Sequence, residues 1–104
     1  MTKHVITLLK PILKDSDHPL WKKIEYTFSH LRPTREMKYS YMDYYNMLRL
    51  HIIEGKSWGD IGLSLGMTYN SGNVLLPKRI EGYLKICDDV TQYINTSFRD
   101  YATN

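Results

Sequence analysis

Cysteine is almost absent from this chain: of 104 residues only Cys87 carries a thiol, which excludes an internal disulfide and any cysteine-rich metal centre. Long apolar runs are missing as well. The opening MTKHVITLLKPILK is interrupted by Lys10 and Pro11 before a signal-peptide core could form, and no other stretch approaches the length that crosses a bilayer. No membrane partner is therefore expected, and a reducing, cytoplasmic setting fits. His4, His18, His30 and His51 are scattered; none stands three or four positions from another or beside Cys87, so no metal site is expected. Gly55, Gly59, Gly62 and Gly66 lack the Lys-Ser or Lys-Thr that completes a phosphate-binding loop. Cys87 lies among apolar neighbours, where a thiol behaves as an inert small hydrophobe. No catalytic residue and no cofactor are expected, which makes an enzyme the weaker reading.

What is present is a chain of single-domain size, 1–104, with 42% apolar residues, nine Tyr and two Trp. The formal charge is +3, which favours an anionic partner only mildly. Its distribution says more. Lys10, Lys14, Lys22, Lys23, Arg32, Arg35 and Lys38 make the first third basic, whereas Asp88, Asp89 and Asp100 lie toward the other end. Sharing a face with a DNA-reading element, those cations would neutralise phosphates; otherwise they are a solvated surface, the better reading for Lys22 and Lys23 alone.

Apolar periodicity points to an all-α domain of about five helices. The segment 1–39 holds two of them. Val5, Ile6, Leu8, Leu9, Ile12 and Leu13 form a short helix that Pro11 should disturb, suited to core packing rather than a membrane surface. Ser16 or Asp17 should cap the next, with Pro19 in its first turn and Leu20, Trp21, Ile24, Phe28 and Leu31 as its buried stripe. From about Ser40 the run YMDYYNMLRLHII places Tyr41, Tyr44, Leu48 and Ile52 on one face, broadened by Tyr45 and Met47. That stripe reads as core; a base-stacking platform for single strands is the alternative.

The segment Gly55 to Leu76, GKSWGDIGLSLGMTYNSGNVLL, has the grammar of a short helix, a glycine turn and a second helix that begins with polar residues. Gly55 closes the preceding run, and Ser57 with Asp60 approximates a capping box. Trp58, Ile61, Gly62 and Leu65 then fall on one inward face, leaving Gly59, Asp60 and Ser64 outward. Gly62 is small enough for a second helix to cross closely. Gly66 supplies the positive φ of a sharp turn, and Met67 plugs the space beneath it.

The order Ile61, Gly62, Leu65, Gly66, Met67 resembles the helix-turn-helix of bacterial transcription regulators, including the promoter-reading domain of sigma factors and fimbrial adhesin-operon regulators. The resemblance covers about a third of the chain. That family expects a branched apolar residue where this sequence has Gly72, so either the turn is lengthened or the second helix starts near Ser71 and carries its apolar face through Val74 and Leu75. The resemblance implies a regulator bound to double-stranded DNA, a nucleoid-associated location and a supporting helix beneath the reader. Base contacts would fall to Thr68, Tyr69, Asn70, Ser71 and Asn73, since Asn pairs bidentately with adenine and hydroxyls serve bases or phosphates. Lys56, Ser57, Lys78 and Arg79 would hold the backbone. The same small polar residues also suit any exposed turn and cap.

Pro77 should kink or break the helix near Leu76, separating 40–76 from a C-terminal helix in 77–104, from about Lys78 to Phe98, with Asp100 to Asn104 frayed. In it Ile80, Tyr83, Cys87, Val90 and Ile94 recur at alternating steps of three and four, a heptad-like seam. Two uses are open: a homodimer interface on a pseudo-palindromic operator, or folding back on the domain itself. A dimer that occupies an operator suits a repressor. The rival function is a protein-interaction module that binds a transcription partner such as RNA polymerase.

Overall fold

Short polar side chains that accept free backbone amides decide where helices begin here. In the computed structural model, which describes residues 4–97, six helices follow one another: α1 (Val5–Leu13), α2 (Pro19–His30), α3 (Tyr41–Ile52), α4 (Trp58–Ser64), α5 (Tyr69–Ile86) and α6 (Asp88–Ser97). The protein is all-α over these residues. Ser40 opens α3 with a complete reciprocal cap: its hydroxyl accepts the Asp43 amide at 3.1 Å while the Asp43 carboxylate accepts the Ser40 amide at 2.9 Å. Ser57 and Thr68 open α4 and α5 by accepting the amides of Asp60 and Ser71, each at 3.1 Å. For α2 the cap is neither Ser16 nor Asp17. His18 takes that role, its Nδ1 accepting the Leu20 amide at 3.1 Å, with Pro19 in the first helical position.

Neither proline breaks its helix. Pro11 lies inside α1 and Pro77 inside α5. Each deprives one carbonyl, that of Thr7 or Asn73, of its amide partner, and both of those residues are exposed, so water can serve the orphan oxygen. The break comes instead at Cys87, whose backbone is extended at φ −76° and ψ 112°. Its carbonyl accepts the Thr91 amide at 3.1 Å as the first bond of α6, and Asp88 and Asp89 put negative charge on that helix's first turn. One expected C-terminal helix is thus the end of α5 followed by α6. Phe98 and the frayed end expected at 100–104 lie outside the described residues.

The core lies where α2 packs on α3 and α6, and α5 runs past α1, α3, α4 and α6. Leu9, Leu13, Ile24, Phe28, Leu48, Leu76, Ile80, Leu84, Cys87 and Val90 are fully buried at its centre. The heptad-like series is therefore spent inside the domain. Ile80, Cys87 and Val90 are enclosed by their own chain, Tyr83 packs edge-on against Phe28, Tyr41 and Tyr44, and half-buried Ile94 leans on the same core. Of the two uses left open for this series, the fold takes folding back. Ile80, Cys87 and Val90 have no surface left for a dimer, while Tyr83 and Ile94 keep part of theirs exposed. Tyr44 and Tyr45 are likewise buried in edge-to-face contacts, which removes the stacking platform.

A polar link from the far half of the chain crosses this core. Glu81, buried on α5, accepts the amides of Val5 and Ile6, the latter at 3.1 Å, so a carboxylate from the far half of the chain caps the N-terminus of α1. The pairing joins a charge to the positive end of a helix and removes two orphan donors together. Glu81→Ala should lower the unfolding free energy by roughly 1–3 kcal/mol in urea titration, with Glu81→Gln losing less because one acceptor remains. Equal stability of the three proteins would show that water caps α1 just as well.

Candidate nucleic-acid interface

The inward face of α4 is built to let another helix touch backbone. A Cβ placed on Gly62 would stand 2.7 Å from the Gly72 Cα, and one on Gly72 would stand 2.6 Å from the Trp58 carbonyl oxygen. Gly59, expected to point outward, is buried as well: the Tyr69 ring covers it, 2.3 Å from where a Cβ would be. Gly72 is thus the residue through which α5 meets α4. The second helix starts at Tyr69, two residues before Ser71, and its inward row runs through Gly72, Leu76 and Ile80, leaving Val74 64% exposed and Leu75 at the margin. The turn is as its residues suggest. Gly66 has φ +85°, and the Met67 amide donates to the Gly62 carbonyl at 2.9 Å while its side chain packs on the core.

This interlock fixes the end of α5 that carries the expected base-contacting residues. Asn70 and Asn73 are exposed, lie three positions apart on the first turns, and make no side-chain hydrogen bond among the described residues. Thr68 and Ser71 are engaged with each other: the Thr68 hydroxyl accepts the Ser71 amide and donates to the Ser71 hydroxyl at 2.9 Å. Tyr69 is half covered by its contact with Gly59. Asn70 and Asn73 thus keep whole side-chain amides unspent, beside the Tyr69 hydroxyl and the Ser71 O–H donor.

The expected backbone-gripping residues divide. Lys56 is exposed in the loop before α4, and Ser57 caps that helix while half-buried. Arg79 reaches back to donate to the Tyr44 hydroxyl at 3.2 Å. Lys78 faces a cleft of about 820 Å³ between α1 and α5, together with Lys10 and Lys85. Lys23 is not free: it pairs with Asp89 of α6 at 3.7 Å.

His51 stands at the edge of that cleft with its ring stacked on Trp58, 4.1 Å between centroids and 17° between planes. Its Nδ1 donates to the Lys56 carbonyl at 2.7 Å, because a carbonyl can only accept, which leaves Nε2 as the acceptor facing the Lys10 ammonium at 3.4 Å. Burial lowers the imidazole pKa from 6.5, the Lys56 carbonyl bond opposes that, and Lys10 lowers it further; the net direction is down. Scattered histidines gave no sign of this pairing, since Lys10 and His51 lie far apart in sequence.

The chain matches no protein-family model, no curated protein and no solved structure.

Two expectations follow. Gly62→Ala should cost about 1–3 kcal/mol despite alanine's better helix propensity, because backbone opposes the new methyl group. Gly82→Ala, with open space around its Cβ, should instead gain about 0.5–1 kcal/mol. Opposite signs in paired thermal melts confirm the interlock, and a gain from both substitutions would disprove it.

The second concerns pH. A depressed folded-state pKa means the folded protein binds fewer protons, so the stability His51 contributes is complete above its unfolded value of 6.5 and is lost as pH falls through that value and the lower folded one. Wild type should lose stability relative to His51→Gln below that pH; parallel profiles would contradict it.

Proposed function

We propose that α4, its turn and α5 form a helix-turn-helix reader of duplex DNA, and that the protein regulates transcription by occupying an operator. What carries the reading is the pair of unengaged amides, Asn70 and Asn73, on a helix end held rigid by backbone contact with α4. A side chain that is to discriminate bases must not be spent within the fold, and its support must not move. The positive end of α5 and the exposed Lys56 add attraction for phosphates. Repression by exclusion of polymerase needs no further domain. Pairing of two copies on a pseudo-palindrome would extend a reader that spans few base pairs, and that pairing would have to use a face other than the buried seam.

A second reading has one observation in its favour. Val74 and Leu75 interrupt the polar character of the outward surface of α5, as they would on a module that docks a protein such as RNA polymerase.

Selection of bound fragments from a random duplex pool tests the reading, with a palindromic consensus indicating two copies and a single half-site one. Asn70→Ala and Asn73→Ala should each cost roughly 1–3 kcal/mol on the selected site and relax preference at one base pair. No enrichment, or unchanged affinity in both variants, would favour the docking module.

A further inference from the structure

The cleft between α1 and α5 has a composition that neither the core nor a DNA-reading surface requires. Its volume of about 820 Å³ is of the size that holds a small organic molecule. Ile6, Trp58, Val74 and Pro77 give it apolar walls, and the stacked His51–Trp58 pair makes one of them flat and stiff. Val74 is the most informative wall residue. A side chain left 64% exposed in the middle of a helix contributes nothing to the core, yet here it completes an apolar surface begun by α1 and α4.

Charge decides the class of ligand. Lys10, Lys78 and Lys85 line the cleft, and none is paired with a carboxylate among the described residues. Lys78 and Lys85 stand two turns apart on the same side of α5, with Lys10 brought across from α1. The one carboxylate in the lining, Glu81, has both oxygens committed to the amides of Val5 and Ile6, so its charge is compensated by the end of α1 and is unavailable to a cation. His51 brings no negative charge to the cleft, and its burial favours the neutral ring.

We propose that this cleft binds a small organic anion with a flat apolar body, of which an aromatic carboxylate is the simplest form. The ring lies against Val74, Pro77 and the His51–Trp58 wall, and the carboxylate meets the lysine ammonium groups at the rim. Both halves of the ligand are needed. The walls alone do not select for charge, and the lysines alone would take any anion. The proposal goes beyond the DNA reading and stands without it, since the cleft is complete in the protein by itself.

The test is an amide-shift NMR titration of the free, full-length protein with 1-naphthoate, 1-naphthamide and inorganic phosphate at physiological salt. Naphthoate should give saturable shifts at the Trp58 indole, Val74 and Gly82, with naphthamide and phosphate each binding at least about tenfold more weakly. The Lys78→Gln, Lys85→Gln double variant, whose changes are at the surface, should lose about tenfold in naphthoate affinity while its circular dichroism melt is retained. Equal binding of the neutral amide, equal binding of phosphate, or no saturation by naphthoate up to about 5 mM would overturn the proposal. Because no DNA is present, failure here leaves the operator-binding reading unaffected, and the reverse holds too.

Discussion

The approach of α4 to α5 at the distance of bare backbone is the constraint on which the rest of this protein depends. Gly62 and Gly72 meet with no room for a methyl group between them, and Tyr69 covers Gly59 beside the same crossing. A short helix such as α4 cannot persist by its own hydrogen bonds, so its packing must hold it. Close contact gives α4 many dispersion partners per residue and leaves the chain between the helices one geometry, with Gly66 in the left-handed region and the Met67 amide bonded to Gly62. Once that crossing is set, the direction in which α5 leaves it is set also, and α5 is the element every other part of the core touches.

From Gly72 the inward row continues through Leu76, Ile80 and Leu84, then passes the break at Cys87 to Val90. A seam of this spacing is indistinguishable in sequence from one that faces a second subunit, because both demand an apolar residue every three or four positions. Which use prevails depends on whether the rest of the chain has an apolar face to offer. Here α1, α2 and α3 bring Leu9, Leu13, Ile24, Phe28 and Leu48 to meet it, and the seam is filled from within.

Much of the fold was legible because its signals are local. Ser40 and Ser57 each stand three residues before an amide they can accept, and a positive φ at Gly66 follows from a glycine between two helical stretches. The stripes on α2 and α3 repeat at helical spacing and are buried nearly as read. Two of the errors share a cause, which is that partners distant in sequence overrode a local rule. Gly59 belongs to the outward face of α4 by periodicity alone and is buried because Tyr69 lies over it. The branched residue expected at position 72 would have struck Trp58 and Gly62, so its absence extends the close crossing. Asp88 and Asp89 were a local signal for a helix start that the apolar seam obscured. Of the candidate interface, Asn70 and Asn73 were found from sequence and remain free, whereas the mutual cap of Thr68 and Ser71 shows only in the fold. Glu81 gave no warning at all, since the two amides it caps lie at the opposite end of the chain.

Three surfaces of α5 now have distinct physical characters, and the division follows from the helical repeat. Residues at 72, 76, 80 and 84 face the core and leave no choice in size. Asn70 and Asn73 lie in the first turns, exposed and without a side-chain hydrogen bond among the described residues. Val74, Lys78 and Lys85 occupy the remaining side, above α1, and there apolar and cationic groups alternate without an internal partner. A folding requirement explains the first surface completely and the other two not at all: any soluble residue at 70, 73, 74, 78 or 85 would leave the core as it is. Residues that stability leaves unconstrained, yet that combine unspent hydrogen-bonding groups in one place and unpaired charge beside apolar walls in another, are where interactions with other molecules have room to act.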